Sequence, residues 1–487
     1  VIEVLLYVFG ILIIVIGLAV SIALHEIGHL VPAKLFGVKV TQYMVGFGKT
    51  LWSKRKGETE YGVKLIPLGG YVAMTGMYPP KKPGEAARAS TTGFLNSVVQ
   101  EGSPRTRGSV EHADIVSELE RIGDVEPTEL RHGLAGMVDD AREASAETIA
   151  EGEDHRTFYR LPVWKKIVVM LGGPVMNLIL AFVFFGIVLV GFGVPQNSTT
   201  LGSINECLVP ASSSATKCDS GDPAAPAAEA GLLPGDKLIS VDGAPVENWD
   251  AFRTLVSESP GKHLAVKIER KNDQGEAFQM ELELTPVANE RQATDAGGQA
   301  KVDATGKPVY ETVGMIGATP ASEMVPQSVA DVPPFVGDNV SRVAGMVLHL
   351  PERMVDIWNA AFGSEARDPN GPMSVVGVGR LAGEIVSVDD APVAARAQVM
   401  FSLLGSLNVA LFVFNLIPLM PLDGGHIAGA LYEGLKRGIA RLRRKPDPGP
   451  IDTAKMVPIT FAVVVVGGFM TLLLVYADLV KPVSFFG

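Results

Sequence analysis

From residue 5 to residue 24 the chain carries no charged side chain. A run of roughly 20 apolar residues is what an α-helix needs to cross the hydrocarbon core of a bilayer. Similar runs recur, and spanning helices are predicted at about 4–30, 167–193, 399–421 and 456–478. The first and third carry polar groups, whereas the fourth is almost bare and reads as an anchor. Between the first two spans the pattern changes. Residues 40–47 and 62–72 are short, β-prone and turn-rich, and they flank a charged tip at 54–60, which predicts a hairpin. Residues 80–155 are acidic with no spanning signal; 111–119, 126–140 and 141–150 are helix candidates, and disorder is an equal reading. After the second span, 206–228 is rich in Ala, Ser and Pro and reads as a loop, 248–257 as a helix, and 264–270 and 280–284 as strands. Residues 287–335 are polar and weakly patterned, and 343–362 reads as an amphipathic helix at the membrane surface. Gly371-Pro372 starts the stretch leading into the third span.

Nearly half of the 487 residues are hydrophobic, yet 20% are charged, which suits a membrane protein with sizeable soluble parts. A net charge of -11 argues against a nucleic-acid partner. With only Cys207 and Cys218, no cysteine-rich zinc module can form, and one disulfide or two free thiols remain open. The first apolar run lacks a basic leader and is too long for a cleavable signal peptide.

Charge also orients the spans. Lys34, Lys39, Lys49, Lys54, Arg55 and Lys56 follow the first span, and Arg156, Arg160, Lys165 and Lys166 precede the second. Lys436, Arg437, Arg441, Arg443, Arg444 and Lys445 lie between the third and fourth. The excess of Lys and Arg marks the cytoplasmic side, so residues 195–395 and both termini are expected outside. A disulfide between Cys207 and Cys218 would suit that oxidising compartment.

The chemistry enters with His25-Glu26-Ile27-Gly28-His29, at the cytoplasmic end of the first apolar run. Residues four apart share a helix face, so both imidazoles can reach one metal ion, with Glu26 placed to take a proton from water. Ionisable groups inside a span are costly and read as functional. A catalytic zinc usually takes three protein ligands. The third candidate is Asp423, in the Asn415-Leu416-Ile417-Pro418-Leu419-Met420-Pro421-Leu422-Asp423-Gly424-Gly425-His426 stretch, where prolines end regular helix and glycines allow close approach. His426 reads as supporting rather than ligating. Asn408 and Asn415 share a face of the third helix, where a carboxamide can hold an unwound substrate backbone or bond to a neighbouring span.

His25 to His29, the stretch from Asn415 to Gly425, Gly172-Gly173-Pro174-Val175-Met176-Asn177 and the 62–72 segment together resemble the site-2 protease family of intramembrane zinc metalloproteases, in its bacterial branch that acts on anti-sigma factors. The resemblance implies Zn2+ held by His25, His29 and Asp423, with Glu26 as general base. It implies a β-rich element dipping into the membrane, with Gly69 and Gly70 joining Asn415 and Asn408 as substrate-binding candidates. Ala230-Gly231-Leu232-Leu233-Pro234-Gly235-Asp236-Lys237-Leu238-Ile239-Ser240-Val241-Asp242-Gly243 is similar to the core of a PDZ domain, whose groove takes an extended peptide or chain end by strand addition.

The expected fold is a polytopic α-helical membrane protein with four transmembrane helices, a membrane-associated β-hairpin or sheet element and an extracytoplasmic PDZ-like α+β domain. Its parts are 1–39 with HExxH, 40–79 as the β element, 80–157 as an acidic cytoplasmic insertion, and 158–195 as the second span with its lead-in. There follow 196–290 as the PDZ-like domain, 291–395 as linker and amphipathic helices, and 396–426 as the third span with its Asp-Gly turn. A basic cytoplasmic loop at 427–455 and the fourth span at 456–487 complete it. The resemblance implies peptide-bond hydrolysis inside a bacterial inner membrane, on single-pass, pre-trimmed anti-sigma-factor-like proteins. Two rivals are a membrane-bound zinc endopeptidase with a cytoplasmic catalytic domain, which would need a downstream Glu as third ligand, and a PDZ receptor with an inert metal motif. The apolar neighbours of His25 oppose the first, and the intact set His25, Glu26, His29 and Asp423 opposes the second.

Overall fold

Thirty-four consecutive residues, Ile2–Leu35, form helix α1. Pro32 falls in its last turn, and the first three turns leave Ile2, Val4, Leu5 and Phe9 exposed, as a lipid-facing helix requires. The computed structural model describes residues 2–77, 79, 89–91, 153–209, 218, 224–272, 274–293, 301, 307–363, 367–368, 371–388 and 392–482. The helix candidates at 111–119, 126–140 and 141–150 lie outside these residues.

The chain divides into two compact units, one made of 1–191 and 328–487 and the other of 192–327. In the first, α1 leads into β1 (Val40–Lys56) and β2 (Thr59–Thr75), an antiparallel hairpin turning at Gly57, with a short third strand β3 (Ala89–Thr91) on β2. The strands run longer than expected because the charged 54–60 tip itself pairs, with Arg55 opposite Glu60. The base of the hairpin is apolar: Val40, Val72 and Met74 pack with Leu30 and Ala33 of α1 and Val169 and Met170 of the next helix. That helix is α2 (Val163–Gly186), prolonged by a π-helical stretch, Ile187–Phe192. Gly28 of α1 and Gly172 of α2 face each other so closely that a Cβ on either would overlap the other's backbone carbonyl. Small residues let the two backbones touch where lipid gives no hydrophobic drive.

The second unit is α+β. Strands β4 (Val194–Ile204), β5 (Lys237–Val241), β6 (Ala244–Pro245), β7 (Leu264–Lys271) and β8 (Ala277–Leu284) join β11 (Ala318–Val325) in a sheet of order β11-β4-β5-β7-β8, with β6 on β5. Strands β9 (Val287–Gln292) and β10 (Tyr310–Met315) make a separate pair. Helix α3 (Trp249–Ser257) is capped by Asn248, whose side chain accepts from the Ala251 N–H at 2.8 Å. Its Trp249, Phe252 and Val256 fill a core with Leu238, Val266, Ile268 and Leu284. Cys207 and Cys218 are disulfide-bonded, with Cα atoms 5.9 Å apart. The compact unit runs on to residue 327, past the end expected for the PDZ-like domain at 290. The weakly patterned 287–335 region contributes three strands, because β11 pairs along most of β4, and polar residues facing outward hide the alternation.

The chain then returns to the first unit as α4 (Val332–Leu348), α5 (Leu350–Phe362), α6 (Val375–Ser387), α7 (Val393–Asn415), α8 (Asp423–Leu442) and α9 (Val457–Val480). Among the described residues, α1, α2 with its π extension, α7 and α9 are long and apolar enough to cross a membrane. Four expectations change. The single helix at 343–362 is two helices, parted at His349 ahead of Pro351. The third span stops at Asn415 rather than 421, because Pro418 and Pro421 cannot continue it. The basic loop at 427–455 is helical to Leu442, its buried side carrying Ala430 and Glu433. The bare fourth span ends on a buried Asp478, which accepts from the Ser374 backbone at 2.7 Å and pairs with Arg367.

Candidate metal centre

The four-residue spacing in α1 turns His25 and His29 to one face, and α2 supplies what holds them. His29 Nδ1 lies 2.8 Å from the Val169 carbonyl, and His25 Nδ1 lies 2.9 Å from the Asn177 side-chain amide. Both Nε2 atoms therefore point inward, 3.2 Å apart. Asp423 enters from far along the chain. The 416–422 segment turns through short hydrogen bonds, Leu419 N–H to Ile417 O at 2.7 Å and Leu422 N–H to Leu419 O at 2.9 Å, and α8 starts on Asp423 itself. Gly424 and Gly425 pack their Cα atoms against the backbone of that turn, where any Cβ would collide. The helix N-terminus favours the Asp423 carboxylate there. Its Oδ2 lies 3.3 Å from Nε2 of each histidine.

These residues are almost removed from solvent: His25 is 8% exposed, His29 1%, Glu26 5% and Asp423 4%. Asp423 Oδ2 has no hydrogen-bond donor. Gly173 backs the cluster, and a Cβ there would run into Nε2 of both histidines. Zinc binds imidazole nitrogen and carboxylate oxygen at about 2.0–2.2 Å in a tetrahedron, whose edges are then about 3.3–3.5 Å. The three observed separations, 3.2, 3.3 and 3.3 Å, match such edges closely. Two imidazoles and a carboxylate also suit zinc chemically. Among the described residues, His25, His29 and Asp423 are the group of donors arranged to hold a metal ion.

Glu26 sits next to the triad and is flanked by the hairpin. A Cβ on Gly70 of β2 would come 3.0 Å from Glu26 Cγ. Tyr43 of β1 bonds its hydroxyl to the Ala23 carbonyl of α1 at 2.9 Å. Burial first, then the nearby Glu26 charge, pushes the Tyr43 hydroxyl up to about 12.

The other expected site residues fall differently. Gly69 is at φ +134 and packs on the Phe47 ring. Asn408 is fully buried, and its amide donates to Ser21 Oγ at 3.0 Å and Leu404 O at 2.8 Å, so it bonds to a neighbouring span. Asn415 is half-buried at the end of α7, its amide donating to Leu411 O at 2.9 Å. His426 lies one helical turn beyond Asp423 and is not among the three donors. Asn177 entered the sequence reading only as part of the Gly172–Asn177 motif, with no role of its own, and the Val169 carbonyl did not enter it. A buried amide in an apolar span four residues after Gly173 was the available signal.

The chain is similar to known zinc metalloproteases along most of its length. The model of peptidase family M50 matches residues 13–446. The zinc metalloprotease Rip1 of Mycolicibacterium smegmatis is 30% identical over 489 residues, covering 98% of either chain. The protein of that name in Mycobacterium tuberculosis is 30% identical over 490 residues, 99% of this chain and 100% of its own. The regulator of sigma-W protease RasP of Bacillus subtilis is 27% identical over 440 residues, 85% of this chain and 87% of its own.

Proposed function

Because the chain belongs to peptidase family M50, the zinc metalloproteases of site-2 protease type, we propose that it hydrolyses peptide bonds within the transmembrane segments of single-pass membrane proteins. His25, His29 and Asp423 would hold the zinc, with Glu26 beside them as the general base. Bound there, zinc supplies Lewis acidity to a water and to the scissile carbonyl. The Glu26 carboxylate takes the proton from the attacking water and returns it to the leaving amine. Val169 and Asn177 hold the imidazoles in place, and Gly70 leaves Glu26 room to move between its two roles. Near-complete burial keeps bulk water from the reacting bond.

A substrate helix must unwind before its carbonyls can react. The β1–β2 hairpin beside Glu26 offers strand edges for an extended segment, with Gly69 and Gly70 on β2 and Asn415 at the end of α7 as its contacts, whereas Asn408 stays bonded to Ser21 and Leu404. The basic clusters support an orientation with the catalytic end of α1 towards the cytoplasm of a bacterial inner membrane and residues 192–327 outside. The outer unit acts as the PDZ-like module and binds an extended peptide or chain end. The substrate is a pre-trimmed anti-sigma-factor-like protein; the Bacillus relative is itself named as a regulator of sigma-W.

The convergence of His25 and His29 from the first span with Asp423 from the start of α8 carries this reading. The test is cleavage of a membrane-spanning reporter co-reconstituted with the wild type or Glu26→Gln. Cleavage within the spanning segment by the wild type and none by the variant supports it. Cleavage confined to soluble loops, or unchanged in Glu26→Gln, overturns it.

A further inference from the structure

Asn177 is 0% exposed, and its amide lies 2.9 Å from His25 Nδ1. It stands one helical turn beyond Gly173, on the α2 face that backs both imidazoles. The two histidines are held differently. The His29 partner is a backbone carbonyl, which only accepts, so His29 Nδ1 must carry the proton and Nε2 keeps its lone pair. The His25 partner is a carboxamide, which can donate through Nδ2 or accept through Oδ1.

Which end faces the ring decides the chemistry. If Nδ2 donates, Nδ1 is the acceptor and the proton of a neutral imidazole moves to Nε2. That atom is 3.2 Å from His29 Nε2 and 3.3 Å from Asp423 Oδ2, the place where a ligand lone pair is required. With Nδ2 toward the ring, Oδ1 is buried without a partner. Reversing the amide exchanges one unpaired end for the other, so hydrogen-bond counting does not choose between them. The lone-pair requirement does, and the two ends are close enough in size that packing is unchanged.

We infer that Asn177 is a positioning residue that presents Oδ1 to His25 Nδ1–H and so fixes the tautomer in which Nε2 can bind a metal ion. The inference rests on the proposed ligand set. A metal-bound histidine generally donates its other N–H to a carboxylate, carbonyl or water, and removing that partner costs roughly 10–100-fold in metal affinity. His29 meets this rule through Val169, and Asn177 completes it for His25.

Two substitutions separate acceptor from donor. Asn177→Leu keeps the bulk and removes both functions, whereas Asn177→Asp keeps an acceptor and removes the donor. Zinc affinity is measured on the full chain in detergent by competition with a chromophoric chelator. The absorption spectrum of the cobalt-substituted protein and the melting temperature are recorded alongside, with His25→Ala as control. The expected result is zinc binding weakened about 10–100-fold in Asn177→Leu. Asn177→Asp is expected to bind at least as tightly as the wild type and to keep the cobalt spectrum. Wild-type affinity in Asn177→Leu overturns the inference. So does a loss in Asn177→Asp, which decides the matter even if the leucine variant fails to fold. Unchanged zinc binding in His25→Ala would overturn the ligand set itself, a different failure read from a different variant.

Discussion

Lys166 Nζ and Glu433 Oε2 are 2.8 Å apart and both side chains are buried, so an ion pair ties the first turn of α2 to the middle of α8. The same two helices carry the groups that meet at the metal centre: Val169, Gly173 and Asn177 on α2, and Asp423 at the start of α8. Glu433 also pairs with Arg437 at 3.0 Å, and Gly434 lies against Val163. The depth at which Asp423 enters is therefore set ten residues further along its own helix.

Removing one partner of a buried pair costs about 3–5 kcal/mol where the other charge is stranded, and less here because Arg437 still faces Glu433. Lys166→Met is expected to lower the unfolding midpoint in detergent and to weaken zinc binding together. The double variant Lys166→Met with Glu433→Leu is expected to recover most of the stability. Equal midpoints for the wild type and Lys166→Met would show that the pair does not hold α8.

Gly70 lies beside Glu26 and not beside the three donors. A methyl group there meets Glu26 Cγ at 3.0 Å, together with the Met44 carbonyl at 3.1 Å, so the carboxylate must shift. Misplacing a reacting group by about 1 Å can cost on the order of 100-fold in rate. Gly70→Ala is expected to lower kcat by roughly 10- to 100-fold with zinc affinity unchanged. A change in metal affinity with kcat preserved would contradict the placement of Glu26 as base. Steady-state cleavage combined with chelator competition separates the two.

Away from the spans, the tip of the hairpin is tied to the lead-in of α2. Glu58 accepts two bonds from Arg156, at 2.6 and 2.7 Å, and this pairing holds its carboxyl below the ordinary value near 4.5. A carboxyl lowered on folding contributes stability above its unfolded pKa and loses that contribution as pH falls through the folded value. Arg156→Gln is thus expected to destabilise at pH 7 and to match the wild type at low pH, with a small effect at an exposed pair that salt screens further. Melting curves at several pH values check the sign; a larger effect in acid would reverse it.

The sequence carried some of these relationships and not others, for reasons of range. His25 and His29 are four residues apart on one helix, so their common face follows from helix geometry alone. Asp423 was legible because prolines and glycines around it announce a turn at the edge of an apolar run. Asn177 was legible only as the last residue of the Gly172–Asn177 motif and not in its role, because its partner His25 is 152 positions away. The same applies to Asp478, whose partners Arg367 and Ser374 lie over a hundred positions earlier. Strand β11 escaped notice because its mate β4 is separated from it by the rest of the sheet, and its own sequence is polar and interrupted by Pro320. Helix α8 was hidden by its basic residues, which report the side of the membrane more strongly than the periodicity of Ala430 and Glu433 reports a buried face.

The central claim is that two imidazoles from α1 and the carboxylate that opens α8 share one zinc ion. X-ray absorption at the zinc edge of the purified full chain, compared with Asp423→Ala, tests it most directly. The expected result is a shell of two imidazole nitrogens and oxygen ligands at about 2.0–2.2 Å in the wild type, and loss of bound zinc or of the carboxylate oxygen in the variant. An unchanged zinc content and an unchanged spectrum in Asp423→Ala would contradict it.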